Sequence, residues 1–129
     1  FFKKLGSFVE TVNVDYHDRI LAITSHLPHL IAYTIVGTAF DLETDLKNDV
    51  IKFSASGFRD FTRIASSDPT MWRDIFLSNS DAVLEMLQRF NEDLSDLQKA
   101  IRKKDGEKLH LFFSRTRSIR KKIIDAGQS

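Results

Sequence analysis

The spacing of apolar residues in the C-terminal half of this 129-residue chain constrains the fold most strongly. Between residues 80 and 104 apolar side chains recur at intervals of four and three, at Val83, Leu87, Phe90, Leu94, Leu97 and Ile101. A matching run after Asp105-Gly106 consists of Leu109, Phe112, Thr116, Ile119 and Ile123. These intervals place side chains on one face of an α-helix. They predict an antiparallel helical hairpin formed by residues 80–104 and 106–125.

The apolar stripe of this hairpin has two interpretations that its geometry leaves equally open. It can form the core within one chain, or it can form an interface between two subunits. The chain also has eleven phenylalanines, which favour extensive burial. A surplus of apolar helix faces in a small domain favours oligomerisation, so we expect a homodimer.

The rest of the chain is also predicted to be helical. Asp15 is expected to N-cap a helix that starts at Tyr16, and apolar residues then continue on nearly all sides to Val36, as in a central helix. Pro28 should kink that helix and free the carbonyl of Thr24. No alternating strand pattern and no glycine-rich phosphate loop is present. The predicted fold class is an all-α helical bundle.

Two further signals concern helix starts in the middle of the chain. Asp68 followed by Pro69 is typical of an N-cap and a first helical residue. Asn79 or Ser80 is expected to cap the first helix of the hairpin. One domain over residues 1–129 is predicted, with residues 1–13 as a connector from a preceding domain, because the chain begins without Met.

Composition excludes some classes of function. The net charge of +1 gives no general attraction to nucleic acid or to membranes, and the absence of cysteine excludes a disulfide framework. The longest mostly apolar stretch, Leu27–Phe40, is interrupted and is shorter than the roughly 20 residues that span a bilayer. The basic run from Arg115 to Lys122 is interpreted as a solvated helix face rather than a nucleic-acid site.

The segment from Thr24 to His29 places two histidines and a proline within an apolar helical run. His26 and His29 are three residues apart and therefore share a helix face. A metal site is disfavoured, because no HExxH motif is present and the nearest carboxylates lie two to three turns away. We expect His26 to be a hydrogen-bonded interior histidine and His29, which follows the proline, to contact a ligand.

A second segment places Arg63 among apolar residues with Asp60 three positions earlier, after a glycine turn at Gly57. Asp60 can orient the planar guanidinium of Arg63 toward a carboxylate ligand, or the two can form a purely structural pair. Trp72 can fill the core or provide a flat wall against a ring. Together with His29, these residues predict a polar pocket for an anionic ligand.

At these residues the chain closely resembles prephenate and arogenate dehydrogenases, the cyclohexadienyl dehydrogenases. The segments that carry the resemblance are HD at 17–18, TSHLPH at 24–29, SGFRDFTRIA at 56–65, SDP at 67–69 and MWRD at 71–74. Their order and spacing fit the C-terminal part of that family over nearly the whole chain. A departure lies at residues 54–57, where many members have a run of glycines and this chain retains only Gly57.

The resemblance implies a two-domain enzyme with the architecture of 6-phosphogluconate dehydrogenase. A Rossmann domain that precedes this chain would bind NAD or NADP and supply the catalytic histidine, and the helical part would form the dimer and the substrate cleft. The reaction implied is oxidative decarboxylation of prephenate or arogenate, in the cytoplasm. The resemblance also implies roles for single residues, carried over by position. Arg63 would bind a substrate carboxylate, with Asp60 orienting it or gating the cleft. The pocket would be lined by His29, Gly57 and Trp72, and Ser25 would approach the cofactor.

On this resemblance the isolated chain is expected to be catalytically inactive. No nucleic-acid, membrane or metal partner is predicted. Two other classes of function stay open: a non-catalytic helical module for dimerisation or ligand sensing, and a basic nucleic-acid-binding helical protein. Ligand binding by the chain alone would favour the first, and strongly salt-dependent binding to DNA would favour the second.

Overall fold

The computed structural model describes residues 14–42, 44–52 and 56–127, and the predicted connector at residues 1–13 lies outside them. Within these ranges the chain is helical and contains no strand. The elements are α1 (Val14–Leu21), a π turn (Ala22–His26), α2 (Leu27–Phe40), α3 (Thr44–Lys52), α4 (Ser56–Thr62), a 3-10 turn (Arg63–Ser66), α5 (Pro69–Ser78), α6 (Ser80–Arg102) and α7 (Gly106–Gly127). The predicted all-α class is confirmed.

The π turn between α1 and α2 is the local response of the helix to Pro28. The N–H of Leu27 donates to the carbonyl of Ala22, five residues earlier rather than four. Proline has no N–H, and its ring clashes with the carbonyl four residues earlier, which is that of Thr24. A wider turn immediately before the proline relieves this conflict. The structure shows a one-residue widening of the helix at this place, and the kink that frees the Thr24 carbonyl stays a prediction.

The first helix also begins earlier than the sequence indicated. It starts at Val14, so Asp15 lies in its first turn and not at the N-cap. Together α1, the π turn and α2 form a helical run of 27 residues, Val14–Phe40. By length and composition alone, this run could cross a membrane, contrary to the expectation from Leu27–Phe40. A single such helix is weak evidence, since the core helix of a soluble protein passes the same test.

Helix α2 packs against α4 and the 3-10 turn. The hydroxyl of Tyr33 donates to the carbonyl of Ser67 (2.8 Å), which ties α2 to the segment that leads into α5. The Asp68 carboxylate accepts from the N–H of Thr70 (3.1 Å) with Pro69 as the first helical residue, so the predicted start of α5 is confirmed. Gly57 does not form the expected turn. It lies within α4 and has no positive φ.

The residues up to Leu87 and those from Gln88 onward form two compact units, and α6 extends through both. In the first unit the core is small. Ala22 of the π turn packs with Ala82 and Val83 of α6, flanked by Phe76 and Met86. Alanine at two of these positions lets the π turn and α6 approach closely.

In the second unit, the two long helices are joined by a short turn, and the predicted hairpin is confirmed with bounds of 80–102 and 106–127. The N–H of Asp105 donates to the carbonyl of Ala100 (2.8 Å) and that of Lys104 to Ile101 (3.0 Å). This is a Schellman motif, with Lys104 at a left-handed φ of 55°. The Asp105 carboxylate then caps α7 through the N–H of Lys108 (3.1 Å).

Part of the apolar stripe of the hairpin is exposed in the described part of the chain. Leu94 is 52% exposed, Ile101 63% and Ile123 57%, although all three belong to the predicted stripe. Val83, at the start of the stripe, is buried in the first unit. Of the two interpretations left open by the sequence, burial within the chain applies fully to Val83 and partly to the half-buried members of the stripe, Leu87, Phe90, Leu97, Leu109 and Phe112.

The backbone at Lys104 generates a prediction about stability. Lys104→Gly should increase the free energy of unfolding by about 1 kcal/mol, because glycine adopts a positive φ without steric cost. The matched control is Lys103→Gly, which should decrease it by about 0.5–1 kcal/mol, since Lys103 has no positive φ and its N–H bonds the carbonyl of Lys99. Urea unfolding of the three proteins measures both changes, and equal effects of the two substitutions would contradict this explanation.

Candidate functional site

His26, at the end of the π turn, is buried with 8% of its surface exposed. Burial lowers its pKa, the nearby His29 adds to this effect, and Asp18 opposes it. Burial therefore favours the neutral form of this histidine. The expectation of an interior, hydrogen-bonded His26 is confirmed, and its partner is a residue that the sequence did not indicate.

That partner is Asn79, at the junction of α5 and α6. Its amide nitrogen lies 3.1 Å from Nδ1 of His26 and 3.1 Å from the carbonyl oxygen of Asp18. A carbonyl only accepts, so the amide nitrogen donates to both atoms and Nδ1 of His26 accepts. The sequence indicates Asn79 only as a possible helix cap. Its backbone carbonyl does accept from Val83, but its side chain joins α1 and the π turn instead.

Trp72 is 7% exposed and joins the two histidines. Its ring stacks on that of His29 with centroids 3.7 Å apart and planes 19° apart. The ring of His26 meets Trp72 at 5.9 Å in an edge-on geometry, and Phe76 also contacts both His26 and Trp72. The prediction that His26 and His29 share a helix face is confirmed, because both rings contact the same tryptophan.

The orientation of His29 follows from one further bond. Its Nδ1–H donates to the carbonyl of Ser25 (2.9 Å), one turn earlier. The opposite nitrogen, Nε2, makes no hydrogen bond within the described part of the chain and can accept from or, when protonated, donate to a ligand. Ser25 itself is half-buried, and its contribution to this site is the backbone carbonyl.

Arg63, Asp60 and Gly57 are exposed on α4 and the 3-10 turn. Among the described residues no hydrogen bond or ion pair joins Arg63 to Asp60, so the expected orienting contact is not formed. The residues predicted to form one pocket therefore fall into two groups. His29 and Trp72 lie in direct contact, whereas Arg63 is exposed and forms no ion pair with another described residue, on a segment that packs against α2.

A polar cavity of about 480 Å³ lies beside this cluster, between α1 and the α5–α6 junction. Its lining includes Asp15, Asp18, Asp81 and the pair Arg19–Glu85. Arg19 donates two hydrogen bonds to Glu85, at 2.6 and 3.1 Å, and this carboxylate raises the pKa of the guanidinium. The two residues are 66 positions apart, and no local pattern in the sequence could have paired them. The described residues contain no group of three potential metal ligands.

A helical fold with a partly exposed apolar stripe on two long helices is typical of a dimerisation domain. Residues 13–115 match the family model described as "Prephenate dehydrogenase, dimerization domain". The chain belongs to the prephenate dehydrogenase family, in which it corresponds to the dimerisation domain. The resemblance inferred from the sequence motifs is therefore confirmed.

Individual relatives agree with this assignment. The chain is 38% identical over 120 residues to cyclohexadienyl dehydrogenase of Zymomonas mobilis, covering 93% of this chain and 41% of that protein. It is 36% identical over 113 residues to prephenate dehydrogenase of Bacillus subtilis, covering 88% of this chain and 30% of that protein. The chain thus spans less than half the length of these relatives.

Two solved structures share the fold. Prephenate dehydrogenase from A. aeolicus, in complex with hydroxyphenyl propionate and NAD+, superposes with a TM-score of 0.77 at 36% identity, covering 84% of this chain and 38% of that one. Synechocystis arogenate dehydrogenase superposes with a TM-score of 0.78 at 26% identity, covering 82% and 38%.

The burial of His26 generates a prediction about pH. Because its pKa is lowered in the folded chain, the unfolded chain takes up the proton first as the pH falls below about 6.5. The contribution of neutral His26 to the free energy of unfolding is therefore fully present above that pH and decreases below it. Melting temperatures measured from pH 8 to pH 5 should fall less steeply for His26→Gln than for the wild type, although the variant is less stable at pH 8. The two proteins differ only at residue 26, so parallel curves would contradict the prediction.

Proposed function

We propose that this chain is the C-terminal part of an NAD(P)-dependent prephenate or arogenate dehydrogenase. In this proposal the full-length enzyme, in the cytoplasm, oxidises and decarboxylates the substrate to 4-hydroxyphenylpyruvate or tyrosine. The chain supplies substrate binding and the dimer interface. The observation that carries the proposal is the stack of His29 on Trp72, in a domain whose relatives include a prephenate dehydrogenase crystallised with hydroxyphenyl propionate and NAD+.

The described residues offer no element that would hold a dinucleotide. They include no strand, and a dinucleotide site requires a strand followed by a glycine-rich turn and a helix. NAD or NADP is therefore assigned to a nucleotide-binding part outside this chain, with Ser25 as the residue here that could approach it. When bound, the cofactor accepts the hydride, which no side chain of this domain could do.

The roles of the chain's own residues follow from substrate chemistry. The substrates are anionic ring compounds, and Arg63 is an exposed guanidinium without an ion pair among the described residues. A planar guanidinium binds a carboxylate through two parallel hydrogen bonds. We assign that contact to Arg63 and a polar contact near the substrate side chain to Nε2 of His29. Trp72 supports the His29 ring, and Gly57 and Asp60 lie at the rim, where Asp60 gates the cleft.

The homodimer is supported by the partly exposed stripe on α6 and α7. Exposed apolar residues on a helix face are costly in water and are typical of an interaction surface. The family match is to a dimerisation domain, so the occupant we propose is a second copy of the chain. A groove along α6, lined by residues that include Leu94, Leu97 and Ile101, provides part of this surface.

The dimer can be tested by sedimentation. The chain should sediment at about twice its mass of 14.8 kDa. Ile101→Asp places a charge in the proposed interface and should give a monomer, because an unpaired charge is strongly disfavoured in a buried apolar contact. The matched control is Leu77→Asp, in which an equally exposed leucine of α5 outside the stripe is changed. A wild-type monomer at tens of micromolar would contradict the proposal.

Arg63 provides the test of function in the full-length protein. Arg63→Ala removes the proposed charged contact to substrate, at a cost of about 2–5 kcal/mol. The KM for prephenate or arogenate should increase at least tens-fold, whereas the KM for NAD(P) and the dimer change little. Arg63→Lys should restore part of the affinity, because lysine keeps the charge but not the planar fork.

The control for charge alone is Arg102→Ala, on exposed surface at the end of α6. An unchanged substrate KM in a folded Arg63→Ala protein would remove Arg63 from the site. If the wild-type full-length protein reduced neither NAD nor NADP with either substrate, the dehydrogenase proposal would be wrong. Binding of the substrate without turnover would then identify a ligand-sensing module.

A further inference from the structure

Asn79 is fixed by the backbones of two helices. Its N–H donates to the carbonyl of Ile75 at the end of α5 (3.0 Å), and its carbonyl accepts from the N–H of Val83 in the first turn of α6 (3.0 Å). The residue is half-buried. Because its backbone N–H and carbonyl are both hydrogen-bonded, the side-chain amide projects from a well-defined position at the junction.

The amide of Asn79 sets the hydrogen-bonding state of His26. The amide nitrogen donates to the carbonyl of Asp18 and to Nδ1 of His26, both at 3.1 Å. Since Nδ1 accepts, the single proton of the neutral ring is on Nε2. The burial of His26 favours the same neutral form, and the groups with an electrostatic effect on it are His29 and Asp18.

Ring contacts extend from His26 to the face of Trp72. The edge-on contact between His26 and Trp72 places the indole between the two histidines, and Phe76 closes the cluster from α5. The other contact of the indole is the stack with His29. A movement of the His26 ring would therefore shift the surface on which His29 rests, because packed interiors have little free volume.

We propose that Asn79 is a positioning residue of the substrate site. Its amide holds His26 in the Nε2–H form, and the buried His26 ring keeps Trp72 in the place where its face supports His29. The consequence for substrate binding rests on the proposed function. The effects on the tautomer of His26 and on the stack of His29 with Trp72 do not depend on the proposed function, and they can be measured separately.

The decisive variant is Asn79→Asp in the full-length protein. The carboxylate has nearly the same shape as the amide but only accepts hydrogen bonds, so it repels the carbonyl of Asp18 and favours a proton on Nδ1 of His26. The ring signals of labelled histidine, assigned with His26→Gln and His29→Gln, should change in two ways. His26 should titrate at higher pH than in the wild type, and His29 should lose part of the chemical shift caused by the stacked indole.

The matched control is Asn48→Asp, which makes the same chemical change at an exposed position of α3 and should leave both signals unchanged. If Asn79→Asp does not fold, Asn79→Ala removes both donated bonds without adding a charge. It should likewise alter the tautomer of His26 and the shift of His29.

Kinetics separate positioning from a merely structural link between helices. In the folded Asn79→Asp enzyme at pH 8, the substrate KM should increase about tenfold, as expected for a disturbed contact, with the KM for NAD(P) unchanged. A lowered melting temperature with wild-type histidine signals would overturn the proposal, as would altered signals with a wild-type substrate KM. A wild-type protein without turnover would overturn the proposed function instead, and the histidine signals alone would then decide the role of Asn79.

Discussion

The lack of an N–H on Pro28 is the constraint on which the arrangement of the site depends. A regular helix cannot continue through this residue without a conflict at Thr24, and the chain responds with the π turn Ala22–His26. The helix nevertheless continues from Val14 to Phe40, so the histidines on either side of the proline stay on one helical run. His26 then reaches the α5–α6 junction, and His29 reaches the face of Trp72.

A second constraint is the need to satisfy the hydrogen bonds of a polar side chain inside a small core. Few described residues of the first unit are buried, and His26 is among them, so its hydrogen bond to Asn79 matters for stability as well as for geometry. An unsatisfied buried imidazole would cost about 1–3 kcal/mol. The same amide also satisfies the carbonyl of Asp18, one residue before the Arg19–Glu85 pair that joins α1 to α6.

The residues that we propose to face the substrate differ in how far contacts within this chain fix their positions. His29 and Trp72 are positioned by contacts within α2 and α5, and His29 is further oriented by the carbonyl of Ser25. Arg63 and Asp60 are exposed and do not contact each other, although the sequence suggested a pair. An exposed arginine on a short 3-10 turn acquires a fixed geometry through a ligand or a neighbouring domain, as the proposed function requires.

The sequence alone determined the helical class, the hairpin, the start of α5 at Asp68-Pro69 and the family, because these depend on local periodicity, capping and motif order. It also predicted that His26 and His29 share a face, since three residues are close to one helical turn. Only the tertiary structure revealed the Asn79–His26 bond, the Arg19–Glu85 pair and the partly exposed stripe on α6 and α7. The first two join residues more than 50 positions apart, and the third depends on which faces meet. Long-range contacts follow from the packing of whole helices, and no local pattern encodes them.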